Sequence, residues 1–124
     1  MMKTLSVLIC LLCAGASSAL ALHPDMTLDF TWVGTPLCTP TPRSPEFQVD
    51  NVPSGTLLLR FALLGPSGRE FGGADVPLPG RGTIPRGAVS YRPPCVGGMY
   101  TWIVEAIDAD GNSLAQATLS RPFY

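Results

Sequence analysis

The chain is 124 residues long, carries a formal net charge of −1 and holds four cysteines and a single histidine. That length suits one domain. A near-neutral chain without a basic cluster offers no electrostatic handle for nucleic acid, and individual arginines offer little to anionic lipid headgroups.

Residues 1–21 read as a secretory signal peptide. Lys3 supplies the positive start and Leu5 to Leu12 an apolar core. Small residues follow and end in Ala19-Leu20-Ala21, a small-x-small cleavage pattern. The apolar core is short for a bilayer span. Ile9 and Leu12, which precede Cys10 and Cys13, are too large for a lipid-attachment site. The expected product is residues 22–124, a single exported domain, periplasmic or extracellular and not an integral membrane protein after cleavage. It carries seven arginines, nine acids and no lysine.

Cleavage removes Cys10 and Cys13 and leaves Cys38 and Cys95. In an oxidising compartment such a pair is expected to form a disulfide. Two free thiols or a zinc site are the competing readings; with His23 the sole histidine, close to the cleaved end, a tetrahedral zinc site lacks ligands.

In Met26–Trp32 apolar residues alternate with Thr27, Asp29 and Thr31, the period of a strand with one buried face. Residues 36–45 hold four prolines and are irregular. Glu46–Val49 is expected to be a short strand, 51–55 a turn, and Thr56–Leu64 a strand covered on both faces. From Gly65 to Arg86 glycine and proline predict a long connection in which only Asp75–Leu78 pairs. Gly87–Tyr91 reads as a short strand and Met99–Ile107 as the longest one, with Tyr100, Trp102, Val104 and Ala106 on one face. A hairpin loop at Asp108–Asn112 leads into Ser113–Leu119. The fold expected is all-β, an antiparallel β-sandwich or open barrel of six or seven short strands.

Asp108-Ala109-Asp110-Gly111-Asn112 places oxygens at alternate positions, as calcium loops do. Its glycine falls fourth rather than sixth and Leu119 stands where a bidentate glutamate belongs, so a hairpin turn explains it. His23 lies at a terminus, a poor mount for a general base, and no spacing brings two carboxylates into a cleft. We expect no enzyme activity, no catalytic residue, no cofactor and no metal.

The segment Ser90-Tyr91-Arg92-Pro93-Pro94-Cys95-Val96-Gly97-Gly98-Met99-Tyr100, running on to Ala106-Ile107-Asp108, resembles the phosphatidylethanolamine-binding protein (PEBP) family, in its bacterial Raf-kinase-inhibitor-like branch. That family carries a Tyr-x-Gly-Pro-Cys-Pro-Pro loop, then a His-x-Tyr strand ending in Ala-Leu-Asp. Ser44-Pro45-Glu46-Phe47, Asn51-Val52-Pro53-Ser54-Gly55-Thr56 and Ile84-Pro85-Arg86-Gly87-Ala88 resemble further elements in the family's order. The resemblance implies a β-sandwich with a small anion pocket at one end, associated with phosphorylated headgroups. It puts ligand contacts at Phe71, Gly72, Gly73, Tyr91, Pro94 and Tyr100. Three departures accompany it. Leu64-Gly65-Pro66-Ser67-Gly68 lacks the family's aspartates, Phe71 stands where a histidine is expected, and Gly98 or a deletion replaces the histidine of His-x-Tyr. What remains to meet an anion is backbone N–H groups, Tyr91, Tyr100, Arg69 and Arg92.

Two functions follow as expectations. One is a non-enzymatic module binding a small anionic or phosphorylated ligand at a degenerate pocket. The other is a structural or inhibitory domain presenting residues 65–86 to a protein partner.

Overall fold

The computed structural model describes residues 25–124; the expected signal peptide and His23 lie outside the described residues. Seven strands run in the order β1 (Thr27–Asp29), β2 (Phe47–Asp50), β3 (Thr56–Leu64), β4 (Glu70–Pro77), β5 (Thr83–Ile84), β6 (Gly98–Asp108) and β7 (Ser113–Phe123). They form two antiparallel sheets, one ordered β1-β2-β5 and the other β4-β3-β6-β7. Among the described residues no helix is long and apolar enough to cross a membrane.

The core follows from period-2 patterning on the two central strands. Leu59, Phe61 and Leu63 of β3 and Tyr100, Trp102, Val104 and Ala106 of β6 face the smaller sheet and are buried. Phe47 and Val49 of β2 meet them from the other side. Phe47 packs edge-on to Trp102 at 5.0 Å between ring centroids and tilts over Phe61 at 4.7 Å. Trp32 stacks on Phe123 at 3.8 Å, which closes the sandwich near the chain's end. Such aromatic pairs add to the burial of their large surfaces.

Four local expectations change. First, β3 is buried on one face only. Arg60 projects outward to an ion pair with Asp75 of β4, and Leu58, Ala62 and Leu64 on the same face are only partly buried. The apolar run over 56–64 marks a central strand rather than a doubly covered one. Second, the glycines of 65–86 do not make one long connection. Residues 65–69 form a tight turn, with Gly65 N–H donating to the Arg69 carbonyl at 2.7 Å, and β4 follows. A Cβ placed on Gly73 would lie 1.8 Å from the Phe61 carbonyl oxygen, so this glycine permits close strand approach.

Third, Gly87–Tyr91 is not a strand. Gly87 adopts a left-handed φ of 83°, and Ala88 N–H closes a turn on the Pro85 carbonyl. The backbone then bonds to the irregular 43–45 segment: Ser44 is buried, its Oγ accepts Val89 N–H at 3.1 Å, and its carbonyl accepts Gly87 N–H at 2.9 Å. Fourth, the regular structure shifts at both ends. β1 is shorter than Met26–Trp32, although Phe30 and Trp32 remain buried beyond it. β7 runs on to Phe123 through Pro122, which is tolerated on an edge strand.

Candidate binding dish at one end of the sandwich

The pairing of β3 with both β4 and β6 brings two distant stretches to one end of the sandwich. The β3–β4 turn comes to lie beside residues 93–98, which lead into β6. Between them lies an open depression of about 490 Å³. Phe71 and Tyr100 line it, their rings edge-to-face at 5.6 Å. Pro66, Pro93, Val96 and Cys95 complete an apolar wall, and Ser67 and Arg69 supply the polar groups.

Each wall has a local cause. Tyr100 alternates inward from β6 and its hydroxyl donates to the Val96 carbonyl at 2.5 Å, so the 95–97 segment is tied down over the ring. Arg92 N–H donates to the Phe71 carbonyl at 2.6 Å, and the Arg92 guanidinium caps the Glu70 carbonyl. Arg92 is thereby used in holding the wall. Arg69 instead places its guanidinium carbon 5.2 Å from the centre of the Phe71 ring, a cation–π arrangement at the rim.

The disulfide is formed between Cys38 and Cys95, with Cα atoms 4.3 Å apart. Cys38 N–H also donates to the Pro94 carbonyl at 2.8 Å. The bridge therefore anchors the dish wall to the segment after β1.

Of the residues expected at a site, the structure brings Phe71 and Tyr100 into the dish. Gly72 lies behind the wall, where a Cβ would sit 3.6 Å from the Tyr91 Cα, and Gly73 is spent on strand pairing. Pro94 is buried. Tyr91 points into the core, edge-on to Trp102 at 5.6 Å, with its hydroxyl 3.5 Å from the Arg43 carbonyl. Burial pushes the Tyr91 phenol above its ordinary range, partly offset by the charge of Arg86. Pro66, Ser67, Pro93 and Val96 were not expected at a ligand site. Their signal is topological: the turn that follows a central strand meets the segment that precedes its neighbour.

The lining has one guanidinium, hydroxyls and apolar groups, and no carboxylate or imidazole. Among the described residues no three His, Cys, Asp or Glu side chains gather as metal ligands. At the Gly98 position a Cβ would stand 2.8 Å from Pro66 Cγ, so the β3–β4 turn occupies the space a side chain would need.

Two antiparallel sheets in this order form an all-β sandwich of PEBP-like fold. The chain matches no family model, and no curated protein matches it in sequence. In fold it is similar to the crystal structure of a phosphatidylethanolamine-binding protein homologue, CT736, from Chlamydia trachomatis. The TM-score is 0.60 at 17% identity, over 81% of this chain and 97% of that one.

Proposed function

We propose that this protein is an exported, non-enzymatic binding domain that has kept a PEBP-like scaffold and changed its ligand. The dish takes a small amphiphile, with its apolar body against Phe71, Tyr100 and Val96 and one anionic group at Arg69. The lining of the dish carries this reading: a single cation at the rim of an aromatic floor, with no acid beside it to receive an ammonium group. Pockets of this kind bind mainly through apolar contact and use few polar groups to orient the ligand. Zwitterionic phosphorylethanolamine, small and strongly hydrated, finds one guanidinium there and no counter-charge for its amine.

The alternative of a domain presenting residues 65–86 to a protein partner has less support. β4 and β5 take up much of that stretch, and Val76 is buried. Native mass spectrometry of the protein purified from its own compartment tests the proposal. A co-purified anionic amphiphile lost in an Arg69→Gln variant is the expected result. A co-purified phosphoethanolamine lipid headgroup, retained in that variant, overturns it.

A further inference from the structure

The disulfide sits where both solvent and the dish reach it. Cys38 and Cys95 are exposed, neither lies in a strand, and neither belongs to the buried core. Cys95 lines the dish, in the same hollow as Arg69. Access and strain are what make a bridge exchange with thiols.

The backbone supplies strain at the other half of the bridge. Among the described residues only Cys38 and Asn51 adopt a positive φ without being glycine. Asparagine is suited to that region, whereas cysteine at φ 56° is not. Cys38 is tied there by its bond to Cys95 and by N–H donation to the Pro94 carbonyl at 2.8 Å. Residues held in this way gather at ligand clamps and switch regions.

We propose that the Cys38–Cys95 bridge is a redox latch on the dish, closed as the disulfide and opened by a dithiol. A thiolate of the dithiol, attracted by the Arg69 guanidinium, attacks Cys95 Sγ from the dish. The S–S bond breaks, and Cys38 Sγ leaves as a thiolate and takes up a proton. The second sulfur of the dithiol then displaces Cys95 Sγ, which is protonated in turn, and the reductant departs as its own disulfide. Two electrons have passed from the dithiol to the bridge.

Opening frees Cys38 to leave the left-handed region. The strand ladders and the ring contacts of the core involve neither cysteine, so the sandwich persists. The wall at 93–97 keeps hydrogen bonds from Tyr100, Cys38 and Arg92 but is no longer fixed to the segment after β1. A binding surface that must be ordered anew binds more weakly than one already in place. That consequence for affinity rests on the proposed ligand; the exchange at sulfur does not.

The test treats oxidised protein, residues 22–124, with millimolar dithiothreitol at neutral pH and without denaturant. Iodoacetamide trapping and mass spectrometry should find both cysteines alkylated within about an hour, with the circular dichroism of the sheets unchanged. Hydrogen exchange should rise in 93–97 over times at which β3 and β6 stay protected. Calorimetric affinity for naphthalene sulfonate should fall by about tenfold and return on reoxidation. Cys38→Ser with Cys95→Ser should bind as the reduced protein does, with or without dithiothreitol. A bridge that resists the dithiol until urea unfolds the chain overturns the proposal. So does reduction that melts both sheets, or a reduced protein whose exchange in 93–97 or affinity for the sulfonate is unchanged. If the oxidised protein does not bind the sulfonate, the ligand reading fails, and the thiol counts and exchange still decide the latch.

Discussion

At Gly98 only hydrogen fits, because Pro66 Cγ would lie 2.8 Å from any Cβ placed there. A Gly98→His substitution therefore does not rebuild a polar pocket. It forces the β3–β4 turn outward at about 1–3 kcal/mol, the usual cost of overpacking, and urea unfolding measures that loss. Arg69 has the opposite character: it sits at the rim, and its guanidinium is placed over Phe71. Arg69→Gln is expected to leave the unfolding midpoint unchanged within error. The same variant weakens binding of an aryl sulfonate, such as anilinonaphthalene sulfonate, by about tenfold, the scale of one lost charge-assisted hydrogen bond.

Three exposed carboxylates add a modest share to the fold's stability above the acid range. Asp29 is held below the ordinary carboxylate range by its hydrogen bond to Arg121, and Asp75 by its hydrogen bond to Arg60. Asp108 is lowered chiefly by the backbone N–H of Asn112, within the β6–β7 hairpin, where its Oδ1 also accepts Asp110 N–H. A lowered folded-state pKa stabilises the fold above the unfolded value and is lost as pH falls through the folded one. The urea midpoint should hold at neutral pH and decline below about pH 4. Tyr91 acts at the other limit. Its raised pKa favours the neutral phenol in the core, so stability should fall as pH rises above about 10.

Among the elements, β6 was the most legible. Its alternation of Tyr100, Trp102, Val104 and Ala106 against Met99, Thr101 and Ile103 can be read only one way, and those four are buried. β4 was not legible beyond its last residues, because glycine carries two meanings. Gly68 serves a turn with φ 82°, whereas Gly73 lets β4 approach the Phe61 carbonyl. Composition does not separate these roles; the partner strand does. The dish was half legible for the same reason. Phe71 and Tyr100 were indicated by the resemblance to the PEBP family and not by the residue pattern itself, and Pro66 and Val96 come to one hollow only once β3 lies between β4 and β6.

Cys38 and Cys95 join elements 57 residues apart in the chain. In the chain-entropy account a loop of that length is worth about 4 kcal/mol to the folded state. Replacing both cysteines with alanine should lower the unfolding free energy by about that amount. It should also raise hydrogen exchange in residues 93–97, since the wall then keeps hydrogen bonds from Tyr100, Cys38 and Arg92 but loses its covalent anchor. Equal exchange in the bridged and unbridged proteins would show that the wall is held without the disulfide.

At the scale of the whole molecule, one aromatic core holds two sheets together. Trp32, Phe47, Phe61, Trp102 and Phe123 are all buried and linked in a chain of ring contacts. Phe47→Ala should cost about 3–5 kcal/mol, a large share of the stability of a domain this size. The ends of the sandwich differ in kind. One carries the disulfide-braced dish; the other carries the β6–β7 hairpin, whose Asp108 is occupied by its own turn.

The proposed function places an anionic amphiphile, in place of a phosphorylated zwitterion, on a PEBP-like scaffold. Paired calorimetric titrations of residues 22–124, one with phosphorylethanolamine and one with anilinonaphthalene sulfonate, test it most directly. Saturable binding of the sulfonate alone, weakened by Arg69→Gln, is the predicted result. Micromolar affinity for phosphorylethanolamine would contradict it.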